Sequence, residues 1–368
     1  MKLHIFNPEH DTVMAYGKGM FTSPHAAREL RHDLGFIASL WAEDGDFVLV
    51  DDIEAALESV RHVRKCAADV VFITYADLRD LRLYDIPDFS IVPWGWEDVL
   101  KRQLAHAAPA LQKYLPDDET VECIRSMSNR RFAAENLLPW LRDTDDVFVG
   151  RSLYVNSIEE MNDELMRNGR SVLKSPWSSS GRGVKYVEAV AGSPVTGWCR
   201  NVISRQGGIM VEPYYNKVFD FGMEFCIDDS GHSEYCGLSL FRTVNGAYAG
   251  NILATERDKR KMIGRYVDVE TTDRLAALVS ERMDQVSGGR YKGPYGIDMM
   301  VVADDSGKGF KVHPCVEMNL RRTMGHVALS VSPDEYEAQK LMRIFYNGKY
   351  RLRILSTNEN LLNTGLAV

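Results

Sequence analysis

From Phe310 to Asn319 the chain reads FKVHPCVEMN, with polar and apolar residues alternating. A strand projects successive side chains to opposite faces. Lys311, His313, Cys315, Glu317 and Asn319 therefore share one face, and Phe310, Val312, Pro314, Val316 and Met318 the other, apolar one. The segment YGIDMMVVAD before it is also strand-like, and the turn formers DDSGKG lie between them. Such a hairpin brings Asp298 opposite Glu317, about 5 Å away, or onto a diagonal at about 7–8 Å. Two carboxylates and an amide oxygen then converge on one sheet face. That oxygen set suits magnesium, which completes its shell with water and phosphate oxygens. The candidate metal ligands are Asp298, Glu317 and Asn319.

Two further stretches could handle a nucleotide. In VLKSPWSSSGRGV, Lys174 ends a strand and a small, Ser- and Gly-rich loop follows. Small residues let backbone N–H groups approach phosphate oxygens, and the lysine adds positive charge. The helix-opening loop G-x-x-x-x-G-K-[ST] is absent. In IMVEPYYNKVFDFGMEF, an apolar strand ends in Glu212, bends at Pro213 and Tyr214, and resumes with Asp220 and Glu224. Acidic and backbone groups at such a bend could hold an adenine edge and a ribose; the same residues also read as a plain strand–turn–strand.

The elements that must position these groups fall into two rhythms. Residues 1 to about 125 alternate strand and helix: LHIF, then a helix opened by Ser23 and Pro24, then FVLVD, IEAALESVRHVRK, VVFIT and SIVPW. That order implies a parallel sheet covered by helices. From about Ser128 the chain runs through the helix NRRFAAENLLPWL, the segment VFVGRSLYV, the helix SIEEMNDELMRN and the strands around the serine-rich loop. Beyond Gly208 strands dominate, with helices expected over TTDRLAALVSERMDQVS and PDEYEAQKLMRIFYN. The expected division is 1–125, 126–207 and 208–368.

Composition narrows the function. A chain of 368 residues with 45% hydrophobic and 26% charged residues has the make-up of a globular protein of two or three domains. A net charge of −8 argues against general nucleic-acid binding. The six scattered cysteines form no C-x-x-C pair and read as reduced thiols. With no signal-peptide pattern and no long apolar run, a cytoplasmic protein is expected, without membrane partners. Oligomeric state is not encoded in any recognisable pattern.

Taken in order, these residues resemble the ATP-grasp superfamily over about residues 128 to 330. The first 125 residues resemble the α/β domain that commonly precedes it. The resemblance implies an α/β chain: a parallel pre-ATP-grasp domain, then a two-subdomain ATP-grasp fold, α+β in its C-terminal part. Asp298, Glu317, Asn319 and Arg321 match the family's magnesium triad and the arginine after it. Lys174 and the loop Ser178 to Gly183, with Ser179, Ser180, Gly181 and Gly183, match the lid over the ATP phosphates. Glu212 and Tyr214 fall at the adenine hinge, and Asp220 near the ribose-binding acid. Arg130 stands where the family places a first phosphate-contacting lysine.

The reaction implied is ADP-forming ligation: ATP activates a carboxylate as an acyl phosphate, and an amine displaces phosphate. Lys174, Arg321 and Arg322 are the candidate catalytic cations. The cofactors implied are ATP and Mg²⁺, with Mn²⁺ as a substitute, and the partners are a small carboxylate and an amine. A small-molecule kinase on the same fold and a nucleotide-binding regulator without turnover are the competing readings. The loop NPEHD after the first strand offers Glu9, His10 and Asp11 to a cationic acceptor, or serves as turn and helix cap. His313 and His326 read as structural.

Overall fold

The computed structural model describes residues 1–17, 21–80, 82, 86–178, 183–244, 247–304, 307, 309–333 and 338–356. Its strands in chain order are β1 (Lys2–Ile5), β2 (Phe47–Leu49), β3 (Val71–Ile73), β4 (Ser90–Pro93), β5 (Leu153–Val155), β6 (Ser171–Lys174), β7 (Val184–Val187) and β8 (Ile209–Pro213). Then come β9 (Lys217–Ile227), β10 (Ser233–Val244), β11 (Ala247–Leu253), β12 (Gly293–Ala303), β13 (Phe310–Asn319), β14 (Lys340–Tyr346) and β15 (Tyr350–Ser356). They distribute over two compact units. Unit 1 comprises Met1–Ile124, Ala249–Thr255 and Arg321–Val368; unit 2 comprises Arg125–Tyr248 and Glu256–Leu320.

Unit 1 contains the expected parallel sheet, in the order β3-β2-β1-β4. Both faces are apolar, as a parallel sheet flanked by helices requires. Leu3, Ile5, Leu49 and Ile91 pack on one side against Leu100 and Leu104 of the helix Asp98–Ala107. Phe6, Val48 and Phe72 belong to the other core, with Leu34 and Ile37. The helix that Ser23 was expected to cap spans His25–Leu34; its N-cap is Pro24, without a side-chain capping bond. The chain continues as a 3₁₀ segment, Gly35–Leu40, which carries Ile37 into the core.

The stretch read as a helix, PDEYEAQKLMRIFYN, corrects that expectation: Lys340–Tyr346 is β14, a hairpin partner of β15. Its period is two. Met342 is buried and Ile344 partly buried against the same core that takes Leu352 and Ile354 of β15. Burial of that alternating set outweighs the helical spacing of the isolated segment.

In unit 2 an antiparallel sheet of order β5-β8-β6-β7 is covered by the helices Ile158–Asn168 and Ser193–Gln206. Ser157 caps the first of these by accepting from Glu160 N, and left-handed Gly207 ends the second. The segment NRRFAAENLLPWL divides at Leu137 into helices Arg130–Asn136 and Leu138–Arg142, where Pro139 lacks the N–H needed to continue the first. Strands β13, β12, β9 and β10 are adjacent and antiparallel.

The β12–β13 pairing is regular except at one point. Asp298 pairs with Glu317 and Met300 with His313, so Pro314, Cys315 and Val316 together oppose Met299 alone. This bulge lies in the ladder between β12 and β13. Beyond it, the chain at Val147–Val149 covers β13 through bonds to both backbone groups of Val312.

Candidate functional site

The register of β9, β12 and β13 lays out a polar face row by row. Asp220, Met300 and His313 form one row; Gly222, Asp298 and Glu317 the next; Glu224, Gly296 and Asn319 the third. Asp298 and Glu317 are direct cross-strand neighbours, as the hairpin reading expects. Asn319 Nδ2 donates to Asp298 Oδ2 at 3.2 Å, so its carbonyl oxygen remains an acceptor. Gly222 carries no side chain over Asp298: a Cβ there would already touch Asp298 Oδ1 at 3.6 Å and Glu224 Oε1 at 3.5 Å. Glycine keeps the space above the carboxylates open.

Among the described residues no group of three or more His, Cys, Asp and Glu side chains is gathered for a metal. What unit 2 offers is two opposed carboxylates and an amide, the sparse oxygen set that magnesium supplements with water and phosphate. The donors present fit that ion.

Arg130 meets this face. Its Nη2 donates to Glu317 Oε1 at 2.6 Å, while Nη1 donates to Ser175 O at 2.7 Å and Ser178 Oγ at 2.9 Å. One buried guanidinium thus ties the strand Glu317 belongs to with the entry of the serine-rich loop. The far end of that loop is Gly183, whose carbonyl accepts from Ser175 N at 2.8 Å. A Cβ on Gly183 would stand 2.4 Å from Ser178 Oγ, so only glycine closes this neck. The lid residues Ser179, Ser180 and Gly181 lie outside the described residues.

Lys174 and Glu212, assigned to separate roles from the sequence, are brought together. Lys174 Nζ lies 2.6 Å from Glu212 Oε2, and both side chains are buried. The ammonium also donates to Val316 O at 3.3 Å, a carbonyl of the bulge, and Ser152 Oγ donates to Glu212 Oε1 at 2.9 Å. Tyr214 lies under the Arg170 guanidinium, 3.8 Å from its ring centre. Asp220 accepts from Lys217 Nζ at 2.6 Å and Thr243 Oγ1 at 3.0 Å.

His313 is buried against Gly150 and Tyr215, and neither ring nitrogen has a hydrogen-bond partner. Burial, with the Lys174 ammonium nearby, pushes its pKa down to about 3, so the imidazole is neutral. His326 closes a capping box with Thr323.

Arg321 and Arg322 belong to unit 1. Arg321 is gripped by Asp11 through Nε at 2.9 Å and Nη2 at 2.6 Å, and Arg322 stacks over Trp41 with 4.8 Å to the ring centre. Burial pushes the Asp11 carboxyl up, but the Arg321 guanidinium and hydrogen bonds from His10 and Arg321 outweigh it and hold it below the usual carboxylate range. The sequence reading offered Asp11 to a cationic acceptor; this bidentate pair occupies it.

Glu224, read from the sequence only as one of the acidic groups near the bend, is buried and lies on the same face as Asp298. The signal was its two-residue spacing from Gly222 and four-residue spacing from Asp220.

No protein-family profile matches the sequence, and neither does any curated protein. Solved structures do match in fold. N5-carboxyaminoimidazole synthetase from Staphylococcus aureus, complexed with ADP, superposes with a TM-score of 0.51 at 11% identity, over 97% of this chain and 93% of that one. The biotin carboxylase domain of Hydrogenobacter thermophilus 2-oxoglutarate carboxylase, in complex with MgADP, ADP and bicarbonate, gives 0.52 at 14% identity, over 93% and 74%. A protein from Archaeoglobus fulgidus assigned to the ATP-grasp superfamily gives 0.50 at 14% identity, over 97% and 100%. Low identity over nearly the whole chain establishes architecture: this protein has the ATP-grasp fold.

Proposed function

We propose that the protein is an ATP-dependent, ADP-forming ligase that activates a small carboxylate as an acyl phosphate for attack by an amine. The observation that carries the reading is the Asp298–Glu317 pair with Asn319 beside it, on one open sheet face of an ATP-grasp fold. Two structures of similar fold hold ADP, one of them with magnesium.

Phosphoryl transfer asks the protein for positioning and charge neutralisation more than for covalent chemistry. Asp298, Glu317 and Asn319 would hold magnesium, which neutralises phosphate charge. Lys174 and Arg130 bring positive charge to the phosphates, from positions set by Glu212, Val316 O and Ser178. Gly183 and the serine-rich loop exclude water, protecting an acyl phosphate from hydrolysis. Glu212 and Tyr214 receive the base and Asp220 the ribose. Arg322 serves the carboxylate substrate, whose planar anion suits a guanidinium, and Arg321, its fork held by Asp11, adds positive charge.

The test is ADP formation across a panel of small carboxylates and amino acids, with hydroxylamine as surrogate nucleophile. A ligase yields a hydroxamate and free phosphate. A stable phosphorylated product without either would replace this reading with a kinase, and no ADP with any substrate would leave a nucleotide-binding regulator.

A further inference from the structure

Unit 1 holds a constellation that the phosphate chemistry does not use. Past the C-terminal ends of its parallel strands lie Glu9–His10–Asp11 after β1, Asp51 after β2, Tyr75 after β3 and Gly95–Glu97 after β4. Open α/β sheets bind ligands at these ends.

Two polar atoms there are buried without partners. Glu9 is 4% exposed; Oε1 accepts from Arg31 Nη1 at 2.7 Å, and Oε2 has no partner. His10 is 1% exposed; Nδ1 lies 3.1 Å from Asp11 Oδ1, and Nε2 has no partner. A buried polar atom left unmatched is costly, so such pairs of atoms call for a ligand. Asp11, fixed by Arg321, accepts from Nδ1–H, and that tautomer leaves the lone pair on Nε2.

Gly95 lies against that nitrogen. A Cβ there would stand 2.7 Å from Nε2 and 2.5 Å from Cδ2. Its backbone is not among those with positive φ, so space beside the ring, not conformation, demands glycine. Asn7 holds Gly95 in place, donating to its carbonyl at 2.9 Å and accepting from its N–H at 3.3 Å. Glu9 and Asp51 share one guanidinium, Arg31, which donates to Glu9 at 2.7 Å and to Asp51 at 3.1 Å. Carboxyl groups are in excess, which selects a cation.

We propose that this strand end is an amine-binding site, in which the Glu9 carboxylate holds a primary ammonium and His10 Nε2, oriented by Asp11, accepts its proton. The N–H bond of the ammonium breaks, an Nε2–H bond forms, and the imidazolium is stabilised by Asp11 while the amine lone pair is released. The site stands on unit 1 alone; the use of the freed amine as the ligase nucleophile rests on the function proposed above.

Methylammonium is the probe, observed by saturation-transfer NMR on the full chain without ATP. Saturable binding is expected, with no transfer to methanol. Loss of one charge-assisted hydrogen bond in Glu9→Gln should weaken it about tenfold or more. The His10 Nε2 resonance should shift on binding. Should Glu9→Gln not fold, Gly95→Ala, whose methyl would overlap the His10 ring and displace it, should abolish that shift. Absence of methylammonium binding, equal affinity in Glu9→Gln, or an unmoved Nε2 resonance overturns the site. Calorimetry with Mg-ATP on the same sample separates the two proposals: methylammonium without Mg-ATP binding removes the ligase reading only, and the converse removes this site only.

Discussion

Replacing Arg130 with methionine removes one buried guanidinium and strands three acceptors: Glu317 Oε1, Ser175 O and Ser178 Oγ. Breaking a fully buried ion pair costs about 3–5 kcal/mol. The Glu317 side chain keeps 30% of its exposure, so water recovers part of its solvation, and a loss of about 2–3 kcal/mol is expected. Glu317→Gln leaves the guanidinium a neutral acceptor and should cost about 1 kcal/mol. In the double variant no charge is stranded, so its loss should fall short of the sum by about 1–2 kcal/mol. Urea unfolding of the four proteins measures the cycle. Single losses that add to within about 0.5 kcal/mol would refute an energetic link between the loop neck and the strand of Glu317.

Asp298→Ala and Glu317→Ala should each abolish magnesium-dependent ADP formation with circular dichroism unchanged; full turnover in both removes the metal assignment. Lys174→Met should raise the KM for ATP and lower kcat, and because Glu212 is left buried and unpaired it should also lower Tm; steady-state kinetics and calorimetry check both. Gly183→Ala forces Ser178 away from Arg130 and should weaken ATP binding without changing the far-UV spectrum, as read by nucleotide titration. Burial, with Glu9 adding, pushes the Glu97 carboxyl up to about 7 against hydrogen bonds from Leu100 and Val99. The folded state then holds a proton that the unfolded chain releases, so this group's stability is full below the unfolded pKa of 4.5 and fades as pH rises through 7. Relative to Glu97→Gln, stability should fall by up to about 3 kcal/mol over that window, and parallel slopes in the two proteins would contradict it.

The site was legible wherever one strand or one tight turn set the geometry. Alternation in β13 put Glu317 and Asn319 on one face, and the hairpin brought Asp298 near Glu317; the pairing itself comes from the bulge, since the turn-side register alone would set Cys315 opposite Asp298. The parallel sheet of unit 1 followed from strand–helix rhythm. Hidden from the sequence were features fixed by distant chain. Asp11 and Arg321 are 310 residues apart, and nothing local to NPEHD signals that a guanidinium takes that carboxylate. Strand β14 was misread because its burial depends on a core assembled from Phe6, Val48, Leu253 and Val327. Glu212 reads as a hinge acid, and its ion pair with the lysine one strand away is disclosed only by the β6–β8 register.

The bulge in β13 also governs which changes of length the chain can absorb. Three residues opposite one is an excess of two, an even number, so His313 and Glu317 keep to the same side of the sheet. Deleting two residues among Pro314, Cys315 and Val316 would straighten the strand and leave Glu317 and Asn319 facing as they do, while removing a carbonyl within reach of Lys174. Deleting one would leave two residues opposite Met299, an ordinary bulge that keeps Glu317 opposite Asp298 with a local twist. The excess residues of this segment are therefore slack that length variants can take up while the two carboxylates stay opposed.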